Sequence, residues 1–374
     1  MMFLRSVASL ALVLTLSVAG AAQTAAPKQP SSFDRLSKLA DTERRQNHLD
    51  NAIGYYRQAL KLRASWKDGW WYLGTILYDQ DRYAEARDAF RKLIALDASN
   101  GPALALLGLC EFATQEYGPS LVHLNRARVI GFGDNQQMAQ VVFYHNTILL
   151  TLFEQFESAL DLSIQMVKRD MSDTKVIEAA GLAALRMPIL PEDLEAQDLE
   201  LVLLTGRAVC SAAGANAADT QKLFEELIAK FPKTANVHYV YGTYLLQNDP
   251  AAGLREISKE LDLRPDHLPS LVTLSLEYLK NGEPEKGLQY AEGAVKTAPA
   301  SFAAYTALGR VLVDSGKTQE GIEKLEYAAK LAPDSPQVRI ALASAYAKVG
   351  RSADAARERA EFLKLKNGDR TQSQ

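Results

Sequence analysis

Apolar residues recur at helical spacing along most of the chain, and the pattern is plainest from Phe302 to Pro333. Tyr305, Leu308, Gly309 and Leu312 fall at i, i+3, i+4 and i+7, one face of a helix. Asp314, Ser315 and Gly316 interrupt the pattern, and Gly321, Leu325, Ala328, Ala329 and Leu331 mark a second helix. Pro333 stops it, because proline has no N–H and clashes with the preceding turn. Neither short helix is stable alone, so each needs neighbours to cover its apolar stripe. Gly309 stands 34 residues before Ala343 and 34 after Ser275, and Pro299 and Pro333 keep the same spacing. A fixed period of 34 predicts a solenoid of helix pairs.

The same register runs back toward the N-terminus. In the unit 67–100, Trp70, Leu73, Gly74, Leu77, Tyr83, Ala86, Phe90, Leu93 and Leu96 hold the repeated places, with Ala98 at the closing position. Small residues at Gly74 and Ala86 let two helix backbones approach, while Trp70 and Phe90 fill the space between pairs. These units resemble tetratricopeptide repeats, a family in which an apolar residue, a Leu and a Gly mark the first helix, a small residue opens the second, and a Pro closes the unit. The resemblance spans about residues 33–369. It implies an all-α, right-handed solenoid of helical hairpins, about nine units long, with an irregular break near 187–200.

Residues 33–186 read as an N-terminal sub-array, in which Ala52, Ala86 and Ser120 repeat at 34. Gly131 to Asn135 (GFGDN) is expected to lengthen one connection by five residues. Val176 to Leu185 reads as a first helix lacking a normal second one, because Pro188 and Pro191 stand where that helix belongs. Residues 187–200 are therefore an irregular connector, and 201–369 a C-terminal sub-array whose units close at Pro232, Pro265, Pro299 and Pro333. The charged last helix reads as a solvated cap and 370–374 as a disordered tail.

Composition narrows the class. Hydrophobic residues make up 47% of 374, enough for a continuous core. The formal charge is −3, with no Lys/Arg run suited to nucleic acid or anionic lipid. Arg5 followed by the apolar run Val7 to Val18 and the small residues Ala19 to Ala22 reads as a cleavable signal peptide over 1–22, with 23–32 a flexible linker. For a bacterial chain this predicts a periplasmic or secreted product with no integral span after cleavage; the other reading is an uncleaved anchor helix. Cys110 and Cys210 sit three units apart, too far to bridge, and read as buried thiols.

The sequence shows no metal-ligand spacing, haem motif, nucleophile elbow, P-loop or dinucleotide fingerprint, so no cofactor and no catalytic residue is expected. What remains is a binding surface. The resemblance implies a concave groove lined by first helices, where partners lie as peptides or helices. Trp70, Leu73 and Leu77 belong to the core stripe. Trp71, Thr75 and Tyr78 form a second stripe about 100° round the helix. Its counterparts are Ala105, Leu109 and Phe112, then Tyr144, Ile148 and Thr151, then Tyr239, Thr243 and Leu246. Thr75, Leu109 and Ile148 stand where the family's carboxylate clamp carries Asn, so chaperone-tail recognition is not expected. The expected groove residues are Trp71, Thr75, Tyr78, Phe112, Tyr144 and Tyr239, and the expected partner is an envelope protein or peptide. A carbohydrate or cell-wall ligand is the alternative, since aromatic stripes also stack on sugar rings.

Overall fold

The computed structural model describes residues 31–371 apart from 134, 172, 215 and 216. The expected signal peptide, nearly all of the linker and the end of the tail lie outside these residues. Regular structure among the described residues is nineteen α-helices and one 3₁₀ turn, with no strand. The chain divides into two compact units, the first ending at Ala64 and the second beginning at Ser65.

The first unit is one hairpin, α1 (Ser32–Arg45) and α2 (Leu49–Leu62). Ser31 and Asp34 form a capping box that satisfies two of the N–H groups every helix start leaves without a partner. Ala40, Ala52 and Tyr56 are fully buried between the helices. The Tyr56 hydroxyl donates to Asp41 and accepts from Arg44.

The second unit begins with the hairpins α3 (Lys67–Asp79)/α4 (Tyr83–Leu96), α5 (Gly101–Ala113)/α6 (Tyr117–Ile130) and α7 (Gln136–Leu152)/α8 (Phe156–Lys168). Next come α9 (Thr174–Ala184), α10 (Leu199–Ala213) and α11 (Ala217–Lys230). Four more hairpins follow: α12 (Val237–Leu245)/α13 (Pro250–Leu263), α14 (Leu268–Lys280)/α15 (Pro284–Thr297), α16 (Phe302–Asp314)/α17 (Thr318–Leu331) and α18 (Pro336–Lys348)/α19 (Ser352–Thr371). Where a first helix carries the repeated glycine at Gly74 and Gly309, it meets a side chain of its partner: a Cβ on Gly74 would lie 2.7 Å from Phe90, and one on Gly309 2.6 Å from Leu325. Adjacent hairpins pack in series, as in a solenoid.

The turn inside each hairpin carries the period most sharply. The second residue after the first helix takes positive φ at Asn47, Asp81 and Gln115, and again at Gly282, Gly316 and Gly350, each 34 apart within its series. The N–H one residue further on returns to a carbonyl five residues back, as from Arg82 to Leu77 and from Lys317 to Leu312. This closure satisfies carbonyls that the helix end leaves free.

The structure departs from the sequence reading at three places. From Gln115 to the equivalent Glu154 the step is 39, so five residues are inserted. The connection itself runs only from 131 to 135, against 97 to 100 in the preceding unit; the other four residues lengthen α7 to 17 from the 13 of α5. Asn135 accepts from the Met138 N–H at 2.9 Å, which starts that helix early.

At the break, α9 ends like other first helices, with Arg186 at φ 56° and the Met187 N–H bonded to the Leu182 carbonyl. Pro188 then prevents a helix, and the chain continues irregularly through the 3₁₀ turn Pro191–Asp193. α10 packs antiparallel against α9 after the connector, so the irregular stretch joins two paired helices, and α11 packs in turn on α10. Leu190 is buried, and Met187, Ile189 and Leu194 pack on the same core as Leu182 and Phe224.

The charges of the last helix are not all solvated. Glu358 is buried and accepts from Arg339 of α18 at 2.8 Å and from Arg357 at 3.2 Å.

Candidate functional site

All six expected groove residues are half-buried, but they do not form one surface. Trp71 meets the buried Phe90 edge-on at 6.1 Å, and Tyr78 meets Tyr83 edge-on at 5.5 Å. The Thr75 hydroxyl donates to the Tyr72 carbonyl of its own helix. Trp70, expected in the core, is likewise only half-buried.

Further along, the second stripe becomes core. Ala105, Leu109, Ile148 and Thr151 are buried, at 0%, 7%, 1% and 0% exposure. Thr151 donates to the Thr147 carbonyl and so needs no partner outside the helix. In α5 and α7 the apolar face is wider than one stripe, and neighbouring helices cover it on two sides.

Phe112 and Tyr144 are the two expected residues that the structure brings together. They line one open cavity of about 370 Å³, with Ile148 at its base and Pro191 and Glu192 of the connector on its wall. Phe112 comes from the end of α5, Tyr144 and Ile148 from one face of α7, and Val176 and Lys175 from the start of α9. The His145 ring meets Phe112 edge-on at 4.8 Å and Tyr144 at 5.1 Å, and Tyr117 meets Phe112 at 5.5 Å. The His145 Nδ1–H donates to the Val141 carbonyl at 2.8 Å. Burial pushes this imidazole below its ordinary range, which keeps it neutral near neutral pH.

Burial, with the carboxylates Glu178, Glu192 and Asp173 nearby, pushes the Tyr144 phenol up to about 12. Tyr144 therefore stays protonated at neutral pH and serves as an aromatic wall. His145, Lys175, Glu178 and Glu192 were not singled out by the sequence. His145 follows Tyr144 directly, whereas the connector's approach to α7 leaves no periodic signal.

Tyr239 lies elsewhere. With Phe224, Val240, Thr243 and Tyr244 it lines a second cavity of about 420 Å³ that shares no lining residue with the first. Its ring meets His267 edge-on at 5.1 Å. Among the described residues no group of three His, Cys, Asp or Glu side chains could hold a metal, and no helix is long and apolar enough to cross a membrane. Both cysteines are free thiols, Cys110 buried and Cys210 half-buried.

The tetratricopeptide repeat profile matches residues 37–101, 272–336 and 306–366, in the register of these hairpins. These stretches of the chain are tetratricopeptide repeats. No curated protein matches it. Solved structures similar to this repeat protein include MamA, residues 41 to the end, from Desulfovibrio magneticus RS-1: 20% identical, TM-score 0.40, covering 45% of this chain and 96% of that one. The APC/C hetero-tetramer Cut9–Hcn1 is 14% identical with TM-score 0.39, covering 90% of this chain and 80% of that one.

Proposed function

We propose that this repeat protein is a non-catalytic scaffold of the cell envelope, which binds a partner protein through a peptide or helix laid against Phe112 and Tyr144. The observation that carries the reading is the open cavity where these half-buried rings converge from successive first helices. Large rigid rings give contact area at low entropic cost, and binding hot spots are enriched in aromatic residues. The envelope location rests on the residues themselves, Arg5 followed by the apolar run Val7 to Val18.

The test is capture by the chain lacking residues 1–22 from envelope proteins and, separately, from cell-wall polysaccharide. Wild type is expected to retain an envelope protein. The double variant Phe112→Ala, Tyr144→Ala is expected to lose it while still melting cooperatively, since truncating such anchors typically costs about 2 kcal/mol or more of binding. Retention of polysaccharide in place of protein overturns the reading. N-terminal sequencing of the exported product checks the location: retained Arg5 and Val7 mean that the chain stays tethered.

A further inference from the structure

We infer that the cavity at Phe112 and Tyr144 takes a basic side chain, Lys or Arg, from an extended peptide of the partner. The inference rests on the reading of this cavity as the partner site and specifies the chemistry it accepts.

Two walls are aromatic, Phe112 of α5 and Tyr144 of α7, and Tyr117 meets the Phe112 ring edge-on. Around them the charge is one-sided. Asp173 and Glu192 line the cavity; Glu178 and Glu192 act electrostatically on the Tyr144 hydroxyl, and Glu192 and Asp193 on that of Tyr117. Against these four carboxylates stands one cation on the lining, Lys175, and His145 is neutral.

Asp173 is already in use, accepting from the Val176 N–H at 3.0 Å and from Gln140 at 3.2 Å. Glu178, Glu192 and Asp193 have no side-chain hydrogen bond or ion pair among the described residues. Glu178 is also half-buried, and burial raises its carboxyl above the ordinary range. Lys175 offsets this only in part, and a carboxylate held partly out of water is stabilised further by an incoming cation. Aromatic faces attract that same cation through their quadrupoles, most strongly when water is excluded. An acidic ligand meets repulsion, and a purely apolar one leaves the carboxylates uncompensated. The connector is what makes the groove acidic: Glu192 and Asp193 belong to its 3₁₀ turn, where an ordinary repeat has a helix.

The experiment is selection of a randomised dodecapeptide phage library on the full chain, followed by fluorescence anisotropy of the enriched peptides. Two variants serve as comparison: Phe112→Ala with Tyr144→Ala, and Glu178→Gln with Glu192→Gln. Enriched peptides are expected to carry Lys or Arg beside an apolar residue, to lose binding to the aromatic variant, and to weaken about tenfold on the charge variant and in high salt. Glu192→Gln alone changes only an exposed side chain, so it carries the charge test if the double variant folds poorly. Peptides that need the aromatic rings but are neutral or acidic, or that bind the charge variants equally well, overturn this inference and leave the groove reading standing. If no peptide distinguishes wild type from the aromatic variant, both fall.

Discussion

Gly206 of α10 stands against Gly181 of α9 with no room for a side chain between them. A Cβ on Gly206 would lie 1.8 Å from the Ile177 carbonyl oxygen and 3.1 Å from the Gly181 nitrogen; one on Gly181 would lie 2.0 Å from the Val202 carbonyl oxygen. The obstacles are backbone atoms, which cannot rotate aside. Gly206→Ala is therefore expected to lower stability by about 1–3 kcal/mol, read as a drop in melting temperature by circular dichroism. Gly293→Ala is the control, because its Cβ would make only an ordinary contact with Leu271 at 3.4 Å in the middle of α15. It should stabilise by up to about 1 kcal/mol. Equal effects at the two glycines count against close packing of α9 on α10.

Asn236 holds the start of α12 to the end of α9. It is buried at φ 70°, its amide donates to the Leu185 carbonyl at 2.5 Å, and its N–H donates to the buried Glu260 at 2.8 Å. Arg264 donates to both Glu260 and the Asn236 amide oxygen. Removing the side chain leaves buried groups without partners, costing about 1–3 kcal/mol. Asn236→Ala should be worse than Asn236→Gly by about 1 kcal/mol, because only glycine adopts this backbone without strain. Urea unfolding of the two variants measures the difference, and the reverse order refutes the role of the left-handed conformation.

Stability should depend on pH through His267. It precedes α14, its Nδ1 bonds the Ser270 hydroxyl, and burial beside the positive Arg264 and Arg186 pushes its imidazole down to about 3. The folded pKa lies below the unfolded value of about 6.5, so below that pH the unfolded chain binds a proton that the folded chain refuses. The contribution of this group is complete above about pH 6.5 and is lost as pH falls from there toward 3, by up to about 1.4 kcal/mol per unit. The difference in stability between wild type and His267→Gln should therefore shift between about pH 7.5 and pH 5. A difference that stays constant excludes a buried neutral imidazole.

The thiols should be unreactive while the chain is folded. Burial pushes Cys110 up to about 12 and Cys210 up to about 11, so little thiolate exists near neutral pH. Ellman's reagent is expected to modify neither thiol in buffer and both in denaturant. Prompt reaction of Cys210 in buffer would mean that α10 opens locally.

The repeat was legible because each unit solves the same packing problem with the same residue sizes. Gly74 and Gly309 recur in register because a second helix crosses there, and positive φ recurs at 34 because each turn reverses the chain in the same way. The candidate site was legible only in part. The aromatic residues could be placed on helix faces, but whether a face is groove or core depends on how many helices lie against it. Thus Leu109 proved buried while Phe112, on the same face of α5, borders an open cavity.

The sequence by itself determined the helices, their pairing within regular units and the place where regularity fails. Those features arise from contacts a few to about thirty residues apart, whose residue types repeat and so reveal themselves. Tertiary structure alone decided that α10 returns to α9 across the connector, that Asn236 reaches Leu185, and that Glu192 comes to the wall beside Tyr144. These contacts occur once, between segments with no shared period. They depend on backbone approach and on a carbonyl or carboxylate finding its partner in space, which no spacing along the chain records.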